Sequence, residues 1–123
     1  MRYLTDRKRA EGKGPAHHGT DTHKHMTLTA TGLAFLMPVF LYIFGHALGQ
    51  DHAGVVATFS RPIPAIVTGL VFFIAMMHFP HGAGSVLIDY TKGRTRRYLT
   101  IFVVSLSYLI TATVLYALIR IAN

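Results

Sequence analysis

The 123-residue chain has no cysteine at all. It therefore forms no disulfide, offers no thiol nucleophile and ligates no iron–sulfur cluster by itself. Charge is also scarce. Only 14% of residues are charged, against about 25% in a soluble domain. Charge is missing altogether between Lys24 and Asp51, between Arg61 and Asp89, and between Arg97 and Arg120. With 51% hydrophobic residues and a mean hydropathy of +0.40, the chain is too small and too apolar for a soluble enzyme. Acidic residues number five against twelve Lys and Arg, giving a net charge of +7. The basic residues sit in two short blocks beside apolar stretches. That arrangement points to membrane topology and lipid headgroups and away from nucleic acid.

The three uncharged stretches read as an all-α membrane protein with three transmembrane helices. Lipid offers backbone groups no hydrogen-bonding partner, so segments this apolar must satisfy themselves as helices. The spans fall at about 28–48, 63–83 and 98–119. The first, of 21 residues, would be roughly 31 Å long, the thickness of a hydrocarbon core. The second stays uncharged as far as Ile88, longer than a bilayer needs. Residues 1–25 read as a basic, His-rich tail and residues 26–123 as the membrane domain. The tail lacks the apolar core of a signal peptide, so the first span is expected to remain. His17, His18, His23 and His25 give the tail a metal-binding composition, or simply a solvated segment lying on headgroups or a partner. Ten of the twelve Lys and Arg lie in the tail or between spans two and three. By the positive-inside rule the N-terminus is cytoplasmic and the C-terminus outside.

The residues that could carry chemistry cluster at the cytoplasmic end of span two, in the run His78-Phe79-Pro80-His81-Gly82-Ala83-Gly84-Ser85. Ionisable groups at membrane depth are costly, and they mark function. A neutral imidazole there is a candidate haem ligand, or else a histidine hydrogen-bonded to a neighbouring helix. Eleven residues separate His78 from Asp89, three turns and only about 20° of rotation on a continuous helix. Ser85 joins the same stripe. Pro80 deletes one backbone bond. Gly82 and Gly84 would let a flat group, or another helix, approach closely. His46 belongs to the outer end of span one, roughly 20 Å from His78 in depth, so the two cannot share an iron. A second haem ligand would come from another chain, with His25 of the tail as the second choice. His81 faces either the same cofactor or the cytoplasm. Tyr90 could donate to a ketone oxygen beside a carboxylate that relays a proton. The pair could equally be an interfacial tyrosine and a helix-end aspartate.

The arrangement of His78 followed by Asp89-Tyr90, at the cytoplasmic end of the second of three spans, resembles the small membrane-anchor subunits of succinate dehydrogenase (respiratory complex II). The length, the polar tail and the stretch Pro38-Val39-Phe40-Leu41-Tyr42-Ile43-Phe44-Gly45 fit as well. The resemblance implies pairing with a second three-helix anchor, the cytochrome b556 subunit, and docking of the flavoprotein and iron–sulfur subunits. It implies a b-type haem between the anchors with His78 as one axial ligand. Ubiquinone would bind near the cytoplasmic surface, hydrogen-bonded by Tyr90 with Asp89 beside it, and His81 would neighbour the haem propionates or the quinone. The chain has no complete active site of its own. It would sit in a bacterial inner membrane as a multi-pass protein. Arg94, Arg96 and Arg97 suit lipid phosphates or an acidic patch on the iron–sulfur subunit. Two positions depart from the family's pattern: Thr27 stands where many members carry an arginine, and Pro80-His81-Gly82 is atypical. A fumarate reductase anchor shares the architecture. A cofactor-free scaffold or transporter subunit would explain the spans but leave His78 and its spacing unaccounted for.

Overall fold

The computed structural model describes Arg7 and residues 19–123. The described chain is all-helical, with three long helices and one short one: α1 (Gly19–Ala47), α2 (His52–Phe59), α3 (Pro62–Tyr90) and α4 (Gly93–Ala122). All three long helices are apolar enough, and long enough, to cross a membrane. Each runs past the expected spans. α3 has 29 residues, about 44 Å at 1.5 Å per residue, against a hydrocarbon core of about 30 Å. Its surplus over the expected span lies at the C-terminal end and carries Asp89 and Tyr90. α1 begins at Gly19, inside the segment read as tail, with Asp21 in its first turn where the helix dipole favours a negative charge. The remainder of that segment lies outside the described residues, Arg7 excepted. Pro38 and Pro80 fall inside α1 and α3 without ending them.

The short helix α2 lies in the connection between spans one and two. Asp51 caps it, its Oδ1 accepting from the Gly54 N–H at 2.8 Å. Pro62 then opens α3 at a position where its missing N–H costs nothing. At the opposite end only Thr91 and Lys92 separate α3 from α4. Gly93, at φ +58°, supplies the left-handed backbone that the turn requires.

α3 is the middle helix. It packs against α1 on one side and α4 on the other, and the backbones of α1 and α4 do not approach each other. The buried positions are mostly small: Thr29, Ala47, Thr68, Gly69 and Ser107, with Val71 and Phe59. Small residues let helices approach closely where no hydrophobic force separates helix from lipid. Gly69 is one such point. A Cβ there would stand 3.5 Å from the side chains of Leu115 and Leu118. Against α1, the edge of Phe72 meets Phe40 at 5.9 Å between ring centroids. Large apolar side chains such as Phe35, Tyr42, Tyr108 and Ile119 point outward, as they do on a surface that faces lipid or a partner subunit. Gly69→Ala should be tolerated, since 3.5 Å is an ordinary contact. Gly69→Leu should overpack the α3–α4 interface at a cost of about 1–3 kcal/mol, seen as a lower midpoint for thermal loss of helicity in detergent.

Candidate functional site

The polar groups of the membrane domain collect where the C-terminal half of α3 passes the N-terminal half of α1. His78 Nδ1 lies 2.9 Å from Thr29 Oγ1 on α1. Thr29 is 7% exposed, and its hydroxyl also lies 2.8 Å from the His25 carbonyl and 3.1 Å from the Met26 carbonyl. A hydroxyl has one proton, and two carbonyls of the preceding turn stand ready to take it. With that proton donated to a carbonyl, the Thr29 oxygen is open to accept from an Nδ1–H of His78, while the contact by itself fits either ring tautomer. Nε2 has no hydrogen-bond partner among the described residues. Gly82, one turn further on and about 40° round the helix, faces open space, as does Gly84. Neither glycine packs closely against another helix among the described residues.

His81 is placed differently. Its Nδ1 donates to the Met77 carbonyl at 3.1 Å, and its ring lies against that of His25, 4.7 Å between centroids and tilted by 31°. The pair stands over a cavity of about 250 Å³ between α3 and α4, lined by Phe73, Met77, Val104 and Tyr108 among others. His25 Nδ1 is buried there without a partner among the described residues. Thus His81 meets α1 through His25, whereas His78 meets it through Thr29.

Asp89 and Tyr90 are the last two residues of α3, and both are exposed, Tyr90 at 85%. The helix is continuous from His78 to Tyr90, so His78, Ser85 and Asp89 share one stripe, and Tyr90 points about 100° away from Asp89. His46 lies in the last turn of α1, beside a second cavity of about 330 Å³ with Gln50, Thr58 and Arg61. That is the far end of the molecule: 17 residues of α1, roughly 25 Å, separate Thr29 from His46. Thr27, where the arginine was expected, bonds only to the His23 carbonyl of its own helix at 3.0 Å. Among the described residues no three His, Asp or Glu side chains gather as a metal site. His17 and His18 of the His-rich tract lie outside the described residues.

Arg96 does not match its sequence reading. Its guanidinium turns back onto the end of α3, with Nη2 2.6 Å from the Thr91 carbonyl and 3.0 Å from that of Ile88, and Nε 3.0 Å from Thr91. The last carbonyls of a helix lack intrahelical donors, and a cation there also favours the dipole. Arg96 is thus a helix cap, while Arg94 and Arg97 are exposed. Sequence reasoning missed this cap, the Thr29 partner and the His25–His81 contact. A hydroxyl at the level of His78 was foreseeable from an antiparallel pair of spans, but not which of Thr27, Thr29 and Thr31 would face it.

These features define a polytopic membrane subunit with three spans, a histidine holding one ring nitrogen free at membrane depth, and an exposed Asp-Tyr pair at the adjacent surface. The chain belongs to the family of succinate dehydrogenase/fumarate reductase transmembrane subunits, whose model matches residues 1–115. It is similar to the succinate dehydrogenase hydrophobic membrane anchor subunit of Paracoccus denitrificans, with 41% identity over 120 residues, covering 98% of this chain and 93% of the relative. No solved structure matches the chain. The three spans and a bacterial anchor-subunit relative make it a multi-pass protein of the bacterial inner membrane.

Removing the Arg96 guanidinium uncaps α3. In Arg96→Ala, amide hydrogens over residues 87–92 should exchange faster, by the equivalent of about 1 kcal/mol of local opening, with the rest of α3 unchanged.

Proposed function

We propose that the chain is the membrane anchor of a succinate:ubiquinone oxidoreductase, pairing with a cytochrome b556 anchor and holding the iron–sulfur and flavoprotein subunits on the cytoplasmic face. Family membership supports the anchor role. The N-terminus and the α3–α4 connection face the cytoplasm, a reading supported by ten of the twelve Lys and Arg lying on that side. Arg94 and Arg97 remain available there for lipid phosphates or an acidic docking surface.

The observation that carries the site is the 2.9 Å contact between His78 Nδ1 and Thr29 Oγ1. Haem-ligating histidines bind iron through one ring nitrogen and donate the other N–H to a fixed acceptor. His78 has that acceptor in Thr29 and offers Nε2 beside the open backbone of Gly82. These residues fit a b-type haem, which when bound supplies one-electron transfer between the iron–sulfur subunit and the membrane interior. His78 would hold it through Nε2, with a further ligand from the partner anchor. The His25 ring lies against His81, and His46 lies at the far end of the fold. The remaining nitrogen of His81 would be available to the propionates or to the quinone.

Ubiquinone is the substrate at the surface. Reduction to the quinol takes two electrons and two protons. The Tyr90 hydroxyl hydrogen-bonds one quinone carbonyl and steadies the charge that builds on that oxygen. Asp89, solvent-exposed on the adjacent face, passes protons from the cytoplasmic side.

Two experiments test these assignments. A dithionite-reduced minus oxidised spectrum of the purified complex should show a b-type signal that His78→Leu abolishes or shifts. Tyr90→Phe should assemble normally yet slow quinone reduction about tenfold, the rate equivalent of about 1.4 kcal/mol. A Tyr90→Phe complex with full quinone reductase activity would remove the hydroxyl from the mechanism.

A further inference from the structure

We infer that Thr29 is the positioning residue of the haem site, holding the His78 imidazole in the Nδ1–H tautomer and in one rotational orientation so that Nε2 is presented to iron. The inference rests on the haem reading above and goes beyond it. It assigns a role to a residue of a different helix that no ligand motif contains.

The argument is one of donors and acceptors. A neutral imidazole has two tautomers, and only the nitrogen without a proton can bind a metal. In water the two tautomers interconvert, and the ring turns freely about its bond to Cβ. At membrane depth the choice falls to whatever the ring touches. His78 touches Thr29 Oγ1 at 2.9 Å. That oxygen cannot be a donor to it without giving up the His25 and Met26 carbonyls at 2.8 and 3.1 Å. Thr29 is itself buried, so no water competes for its hydroxyl, and the back-bonding geometry to two carbonyls favours them over Nδ1 as the place for its proton. The result is a directed chain, His78 Nδ1–H to Thr29 Oγ1, then Thr29 O–H to the α1 carbonyls.

The β-branched side chain adds stiffness. In a helix Thr is limited to two χ1 wells, one of which back-bonds the preceding turn, and that well is the one occupied here. Serine would keep the hydroxyl with a looser grip. Valine would keep the shape and lose the acceptor. A donated Nδ1–H also makes the ligating nitrogen more basic, which favours ferric over ferrous iron. Loss of the bond therefore raises the haem potential.

The test compares the intact complex carrying wild-type chain, Thr29→Ser, Thr29→Val and His78→Leu. Co-purification of the other subunits checks assembly. Haem midpoint potential and the rate of haem transfer to apomyoglobin are the readouts. Thr29→Val is expected to show a raised potential and to lose haem about 10-fold to 100-fold faster, and Thr29→Ser is expected to restore both most of the way. Wild-type values in Thr29→Val would overturn the inference, and so would a Thr29→Ser as impaired as Thr29→Val. The wild-type complex provides a reading that needs no variant to fold. With 15N-histidine, the tautomer-sensitive ring mode in its redox-difference infrared spectrum should report the Nδ1-protonated form, and an Nε2-protonated ligand would overturn the assignment. Failure of the underlying reading looks different: the wild-type complex then has no b-type haem, or His78→Leu keeps its haem unchanged.

Discussion

Water is absent from most of the volume this protein occupies, and nearly every polar side chain in the long helices is arranged to cope with that. Thr31, Thr100, Thr113 and Ser107 each return their hydroxyl proton to the carbonyl four residues earlier. The bond is made within the helix and asks nothing of lipid or neighbour. Thr29 does the same. That local bond turns an ordinary back-bonded threonine into an acceptor of fixed direction, because its only proton is already spent. The oxygen of that hydroxyl lies 2.9 Å from His78 Nδ1 on α3. A single constraint, the cost of an unsatisfied polar group in hydrocarbon, therefore governs the quiet surface of the helices as well as the one polar contact that crosses between α1 and α3 at the level of the site.

The same constraint sorts the histidines. His46 and His81 have other surroundings: one lies at the outer end of α1, and the other donates within its own helix and lies against His25. Among the described histidines only His78 combines a place within a span, a hydrogen-bond partner on another helix and a second ring nitrogen without one. The exposed end of α3 then brings Asp89 and Tyr90 to the surface on the same rigid rod, about 16 and 18 Å further along. His78 and the Asp89-Tyr90 pair are thus two levels of one helix, held in register by its unbroken backbone.

The sequence made some of this legible. The three uncharged intervals located the spans, because charge is the one thing lipid rejects outright. The His78–Asp89 stripe was readable because α3 is continuous and a helix keeps its angular bookkeeping over eleven residues, even through Pro80. Helix ends were not readable. Hydropathy marks where lipid stops, whereas α1 continues back through Lys24 and His23 to Gly19 in the headgroup region. The eight residues of α2 were too short for any periodicity, and its one local signal was Asp51 three residues before Gly54. Thr29 could not be chosen from its neighbours, because the rotation of α1 about its own axis is set by packing at Phe40 and Gly32 against α3. Arg96 was misread because a basic cluster gives no sign of which member folds back onto a helix end.

The central place of α3 has a consequence for how the chain can vary. Among the described residues the backbones of α1 and α4 make no contact with each other, and each packs mainly on α3, with a smaller contact to the short helix α2. A substitution on α1 can be matched by a compensating change on one face of α3 and leave α4 untouched, and the reverse holds for α4. Changes on α1 and on α4 are therefore largely insulated from each other inside the bundle. α3 is the spine of the chain, the one long helix on which both of the others lean.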